Sequence, residues 1–203
     1  MTEWHFYEPA AGHRLPHDPL NAIVAPRPIG WISTMSAAGK RNLAPYSFFN
    51  VLNYAPPLIA FSSMGWKDSV ANAKETGEFV WNLATRPLAE AMNATSAGTD
   101  DDEFTLSGLD AAPSRLVAPP RVAASPVSFE CRLTQLIRLE TKEGRALDQW
   151  LVIGEAVGIH IDQGLLDDGI YQTARARPIT RGGGPADYFE ITEDALFRMR
   201  RPG

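Results

Sequence analysis

Two alternating runs joined by a tight turn constrain this chain more than any other feature. From Ser125 to Glu140, one face carries Val127, Phe129, Cys131, Leu133, Ile137 and Leu139. The other carries Ser128, Glu130, Arg132, Thr134, Arg138 and Glu140. A period of two marks a half-exposed strand. "KEGR" then turns the chain into a second long run, Trp150 to Ile161. A hairpin of this length suits an antiparallel barrel. The 16 glycines and 16 prolines, scattered without period, agree with many short strands and tight turns. Strands outnumber helices and do not alternate with them. The expected fold is therefore mainly β, a Greek-key-like antiparallel barrel with a few short helices.

Upstream, "NAIVAPRPIGWISTMS" (Asn21 to Ser36) reads as a strand interrupted by Pro26 and Pro28, which mark an edge, a bulge or a strand start. "NLAPYSFFN" (Asn42 to Asn50) is apolar enough for a core strand, yet it carries Asn at both ends, Ser47, and Pro45 where a backbone donor is lost. "LIAFSS" (Leu58 to Ser63) is a further short strand. "KDSVANAKETG" predicts a helix of about two turns, with Asp68 as N-cap and Gly77 as its stop. Glu78 to Ala84 reads as a buried strand, and Leu88 to Ser96 as a second helix with Pro87 in its first turn. A chain of 203 residues without internal repeat or linker can form one sizeable core.

Several functions are excluded or disfavoured. The net charge is -5 and no dense Lys/Arg run occurs, which argues against nucleic acid. No segment has about 18 uninterrupted apolar residues, so no membrane span is expected. The first residues lack a basic region followed by an apolar run, so no signal peptide is expected. Cys131 is the only cysteine, and it falls on the apolar face of its strand; a small core residue in a reducing, cytoplasmic setting is the reading. His5, His13 and His17 read as solvated or capping groups rather than metal ligands, because Pro16 breaks the helical spacing of the last two. "DDDE" (Asp100 to Glu103) reads as a solvated loop entering a helical turn. Gly182–Gly183–Gly184 opens no helix and reads as a turn rather than a phosphate cradle.

One constellation remains, spread over three neighbouring segments. Ser33 and Thr34 stand at a strand end. Asn42, Ser47 and Asn50 lie among backbone groups that Pro45 frees. Ser62, Ser63, Lys67 and Ser69 lie just before and at a helix start. Helix N-termini present free N–H groups and partial positive charge, Lys67 adds a full charge, and serines add donors. Together they point to a phosphorylated ligand.

The segments "RPIGWISTMSAAGKRNLAPYSFFNVL", "PPLIAFSS", "KDSVANAKETGEFVWNLAT", "DEFTLSGL", "SPVSFECRL", "LVIGEAVGIHID" and "RPITRGGGPADYF" resemble, in order, the flavin reductase-like proteins. The resemblance implies an FMN-binding split barrel over residues 21–190, between an N-terminal arm (1–20) and a C-terminal tail (191–203). It implies a homodimer with FMN near the interface and NADH or NADPH as electron donor. It also implies a flavin-dependent monooxygenase or redox protein as a partner. On this chain, Ser33 and Thr34 would lie at the ribityl or phosphate end, and Ala44, Pro45, Tyr46 and Ser47 along the ring edge. Asn42 and Asn50 would border the cofactor. Ser62, Ser63, Lys67 and Ser69 would hold the phosphate. Asn93 to Ser96 would reach across from a partner subunit, and "RPITR" with Tyr188 would approach the site. The alternatives are a flavoredoxin-like electron carrier and a barrel that binds a small ligand without redox chemistry.

Overall fold

A computed structural model describes residues 2–98 and 101–202. Its main sheet has seven strands. In chain order they are β1 (Gly30–Met35), β2 (Arg41–Tyr46), β3 (Phe49–Asn53), β4 (Leu58–Met64), β5 (Glu78–Asn82), β6 (Val127–Glu140) and β7 (Ala146–Ile161). Three helices matter for the site: α1 (Asp68–Thr76), α2 (Ala89–Ala94) and α3 (Glu103–Leu106). In space the strands run β2-β1-β5-β6-β7-β4-β3, antiparallel at every pairing. The sheet curls into a half-barrel whose open edges are β2 and β3. This is the mainly-β antiparallel barrel that the long hairpin suits, split as the family resemblance implies.

Two glycines permit the curl. A Cβ on Gly30 would stand 2.8 Å from the Phe49 ring, so its absence lets β3 close against β1 across the split. A Cβ on Gly154 would stand 2.3 Å from Phe79, beside the register shift between Ile153 and Gly154. The interior holds Ile32, Tyr46, Phe61, Phe79, Cys131 and Val152, with Val70 and Ala73 of α1 packed onto them. Burial pushes the Cys131 thiol up, as befits a core side chain. A second cluster, Trp31, Leu43, Met92, Phe104 and Val122, fills the opposite face of β1 and β2 under α2 and α3.

Three sequence expectations change. The polar face of β6 is not half-exposed at its start: Ser128 and Glu130 are fully buried. The segment after α3 folds over them, with Arg115 and Leu116 donating their N–H groups to the Glu130 carboxylate at 2.8 and 2.6 Å. His160 Nε2 lies 2.5 Å from the same group, and Ser128 donates to Asn82 Oδ1. Helix α1 begins at Asp68 with Lys67 as its N-cap, and no side chain caps it. Its stop is as read, with Gly77 left-handed at φ 74°. The acidic run enters a helical turn as read, with Asp101 exposed, but its end is not solvated: Asp102 caps α3 through the Phe104 N–H and pairs with Arg41, and Glu103 is buried. Asp100 lies outside the described residues. The glycine triplet is a packing turn, in which a Cβ on Gly183 would sit 2.2 Å from Ala22.

Candidate functional site

The site forms where α1 crosses the end of β1 and β2. Thr34 and Asn42 are cross-strand partners. The Asn42 amide donates to Thr34 Oγ1 at 3.2 Å and to Ser69 Oγ at 2.9 Å, and Asn72 of α1 donates to the same Thr34 oxygen at 3.1 Å. The Tyr46 hydroxyl is hydrogen-bonded to Ser69 and Ser63; burial pushes its phenol up, and those two bonds oppose the rise. This network fixes two strands and a helix start in one geometry. Beside it opens a cavity of about 600 Å³.

The open edge of β2 forms one wall. Leu43 turns its N–H away from β1 and gives it to Glu103 Oε2 at 3.1 Å. By strand parity position 45 points the same way, and Pro45 has no N–H to leave unpaired there. Proline thus removes an orphan donor from an edge, while the carbonyls of Leu43 and Pro45 stay directed outward. A second wall is the start of α1, joined to β2 through Ser69. Helix geometry leaves the Asp68 and Ser69 N–H groups without an intrahelical acceptor. Lys67 is exposed beside them, and among the described residues it forms no ion pair.

The structure gathers Asn42, Ala44, Pro45, Tyr46, Lys67 and Ser69 around this cavity. Thr34 stands behind it and positions Asn42, and Ser63 is fully buried, bonded to Gly65 O and Tyr46. The other predicted residues lie elsewhere. Ser33 is fully buried on the opposite face of β1, and its hydroxyl has no partner among the described residues. Ser62 accepts from Gln149 at 2.6 Å. Ser47 lies in the bend between β2 and β3. Asn50 bonds the Val51 N–H and lines a separate apolar groove with Phe49 and Trp81.

Thr95 and Ser96 reach the cavity rim from the same chain. Trp31 donates its indole N–H to Thr95 at 3.0 Å, which seats the end of α2 there. Asn93 and Tyr188 line a different cavity with Arg86. Glu103 is the residue that sequence reasoning missed. It lines the cavity, and its carboxyl is raised, first by burial and further by nearby Asp68 and Asp102, against the lowering effect of its own N–H and that of Leu43. No local signal marks it, because it meets Leu43 only once α3 docks on β2.

Fold and site together place the chain among split-barrel proteins with a ligand cavity at a helix start. The sequence profile of the flavin reductase like domain matches residues 24–180, and the chain belongs to that family. A protein of Aquifex aeolicus is 36% identical over 170 residues, covering 80% of this chain and 83% of its own. Among solved structures, nitrilotriacetate monooxygenase component B from Bacillus cereus superposes with a TM-score of 0.81 at 30% identity, covering 89% of this chain and 90% of that one. The 2-nitrobenzoate 2-nitroreductase of Pseudomonas fluorescens gives 0.79 at 29%, covering 90% and 88%. Among the described residues no helix is long and apolar enough to cross a membrane.

Proposed function

We propose that the chain is an FMN-binding oxidoreductase that reduces flavin with NADH or NADPH. The observation that carries this is the pairing of two walls in one cavity: Lys67, without an ion pair among the described residues, beside helix N–H groups that lack an intrahelical acceptor, and a strand edge with outward carbonyls. The first wall suits a phosphate, the second the hydrogen-bonding edge of a flat heterocycle. Glu103, buried with no cation partner among the described residues, fits a ligand that brings hydrogen-bond donors.

FMN, when bound, would supply the hydride-accepting chemistry. Lys67 and Ser69 would hold the phosphate. Asn42, kept in place by Thr34 and Ser69, would orient the chain between phosphate and ring. Ala44, Pro45 and Tyr46 would run along the ring edge. No side-chain acid or base is assigned to the transfer, since positioning is the protein's part. The Bacillus cereus relative is named as one component of a monooxygenase. A flavin-dependent monooxygenase that takes reduced flavin is accordingly the partner proposed here.

The test mixes purified protein, FMN and each nicotinamide under anaerobic conditions. Loss of oxidised-flavin absorbance with at least one donor is expected. No loss with either sinks the reductase reading. Flavin retained through gel filtration without nicotinamide oxidation would instead mark an electron carrier.

A further inference from the structure

Glu103 has a role that the fold alone does not explain. It comes from α3, sixty positions along the chain from the strand it touches. Its residue surface is 7% exposed. One carboxylate oxygen, Oε2, accepts the Leu43 N–H. The neighbouring cation, Arg41, is engaged with Asp102 instead. A carboxylate has about four acceptor positions; among the described residues only its own N–H and that of Leu43 act on it, which leaves positions without a donor. A buried acid without a cation is costly and carries no benefit for an edge strand that a glutamine would cap as well. Glu103 nevertheless lines the cavity, together with the Lys67–Ser69 corner and the Ala44–Tyr46 edge. Burial raises it, which is the mark of a charge that packing alone does not stabilise.

We infer that Glu103 accepts hydrogen bonds from the ribityl hydroxyls of the bound flavin. This rests on the flavin reading of the cavity. In FMN the polyol joins phosphate to ring, and Glu103 shares the cavity with both walls assigned to those ends, bonded to Leu43 of one and near Asp68 of the other. The polyol's hydroxyl donors match the acceptor positions that the protein leaves open. The carboxylate thereby selects a polyol phosphate over a bare phosphate, which its charge disfavours together with Asp68 beside Lys67.

The experiment titrates wild-type protein and Glu103→Gln with FMN, riboflavin and lumiflavin, following flavin fluorescence. FMN has phosphate and polyol, riboflavin the polyol alone, lumiflavin neither. Glu103→Gln should weaken FMN and riboflavin by a similar factor of about 10, the gap between a charged and a neutral acceptor, and leave lumiflavin unchanged. Unchanged lumiflavin binding also shows that the variant's cavity is folded. Equal losses for all three flavins would reduce Glu103 to a support for the strand edge, and no loss for any would remove it from the ligand. Wild-type protein that binds none of the three overturns the flavin reading itself, and the role of Glu103 with it.

Discussion

Lysine before a helix is ordinarily a solvated charge, and Lys67 differs from that only in its surroundings. Lys67, Asp68 and Ser69 at the first turn of α1 line one cavity. Lys67→Ala should therefore weaken FMN and spare riboflavin, which lacks the phosphate. A charge-assisted contact of about 1.5–3 kcal/mol corresponds to roughly 10- to 150-fold, with the lower end expected for an exposed side chain. Equal losses for both flavins would take Lys67 out of the phosphate site. Glu103 allows a prediction about the unliganded protein. Its folded carboxyl is raised above the ordinary glutamate value, so its contribution to stability is full below that value and is lost as pH rises through the folded one. Glu103→Gln keeps an oxygen for the Leu43 N–H and removes the charge. It should raise Tm by about 2–4 °C at pH 8, the shift of a modest gain in a chain of this size. That advantage should vanish by pH 4. Thermal scans at both pH values decide it, and a lower Tm at pH 8 would contradict the assignment. The same substitution that costs flavin binding should thus stabilise the free fold, as expected where a function keeps an unfavourable group in place.

At the level of elements, the β6–β7 hairpin was legible because its apolar face follows a strict period of two. What the period could not reveal is the cover on the polar face. Ser128 and Glu130 read as solvent-facing, yet the stretch after α3 lies over them, and only tertiary contact puts it there. Glu130 is the fastener. Burial by itself would raise its carboxyl, but the Arg115 N–H, His160 and the Leu116 N–H together hold it below the usual range. The sign is opposite to that of Glu103: the stabilisation is present above the unfolded value and lost as pH falls through the folded one. Glu130→Ala should cost about 1–3 kcal/mol at pH 7 for each of the Arg115 and Leu116 N–H groups that it leaves without an acceptor. The gap from wild type should narrow below pH 4.5, the ordinary value for such a carboxyl. Hydrogen exchange provides the local readout. The Arg115 and Leu116 amides should lose protection in the variant well before the β6–β7 ladder does. Unchanged protection at those two amides would show that Glu130 does not hold the segment.

For the molecule as a whole, local signals disclosed the barrel and two of the cavity walls. The helix start at Lys67 and the proline-interrupted edge at Pro45 each have a signature within ten residues. Glu103 had none, because it meets Leu43 only after α3 docks on β2. Ser33 and Ser62 lie away from this cavity: Ser33 is buried on the opposite face of β1, and Ser62 is bonded to Gln149. The remaining unsatisfied feature is the outer edge of the sheet. Strand β3 and its flanks expose Phe48 at 45%, Val51 at 58%, Leu52 at 52% and Tyr54 at 93%. An exposed apolar edge strand invites pairing, and this one has neither a charge nor a proline within its five residues to discourage it. A second copy of the chain would cover it, which agrees with the homodimer that the family resemblance implies. Val51→Glu tests this at a position too exposed to matter for the monomer's core. Sedimentation of the wild type should give a dimer, and the variant should shift to monomer at micromolar concentration, with Tm changed by no more than a few degrees. Asn50, the neighbour of Val51, borders the apolar groove rather than the Lys67 cavity, so the two regions can be separated by measurement. If flavin lies near the dimer seam, FMN affinity falls together with dimerisation in Val51→Glu. A monomeric variant that binds FMN as wild type does would place the whole cofactor site within one chain. A variant that stays dimeric would move the interface away from β3.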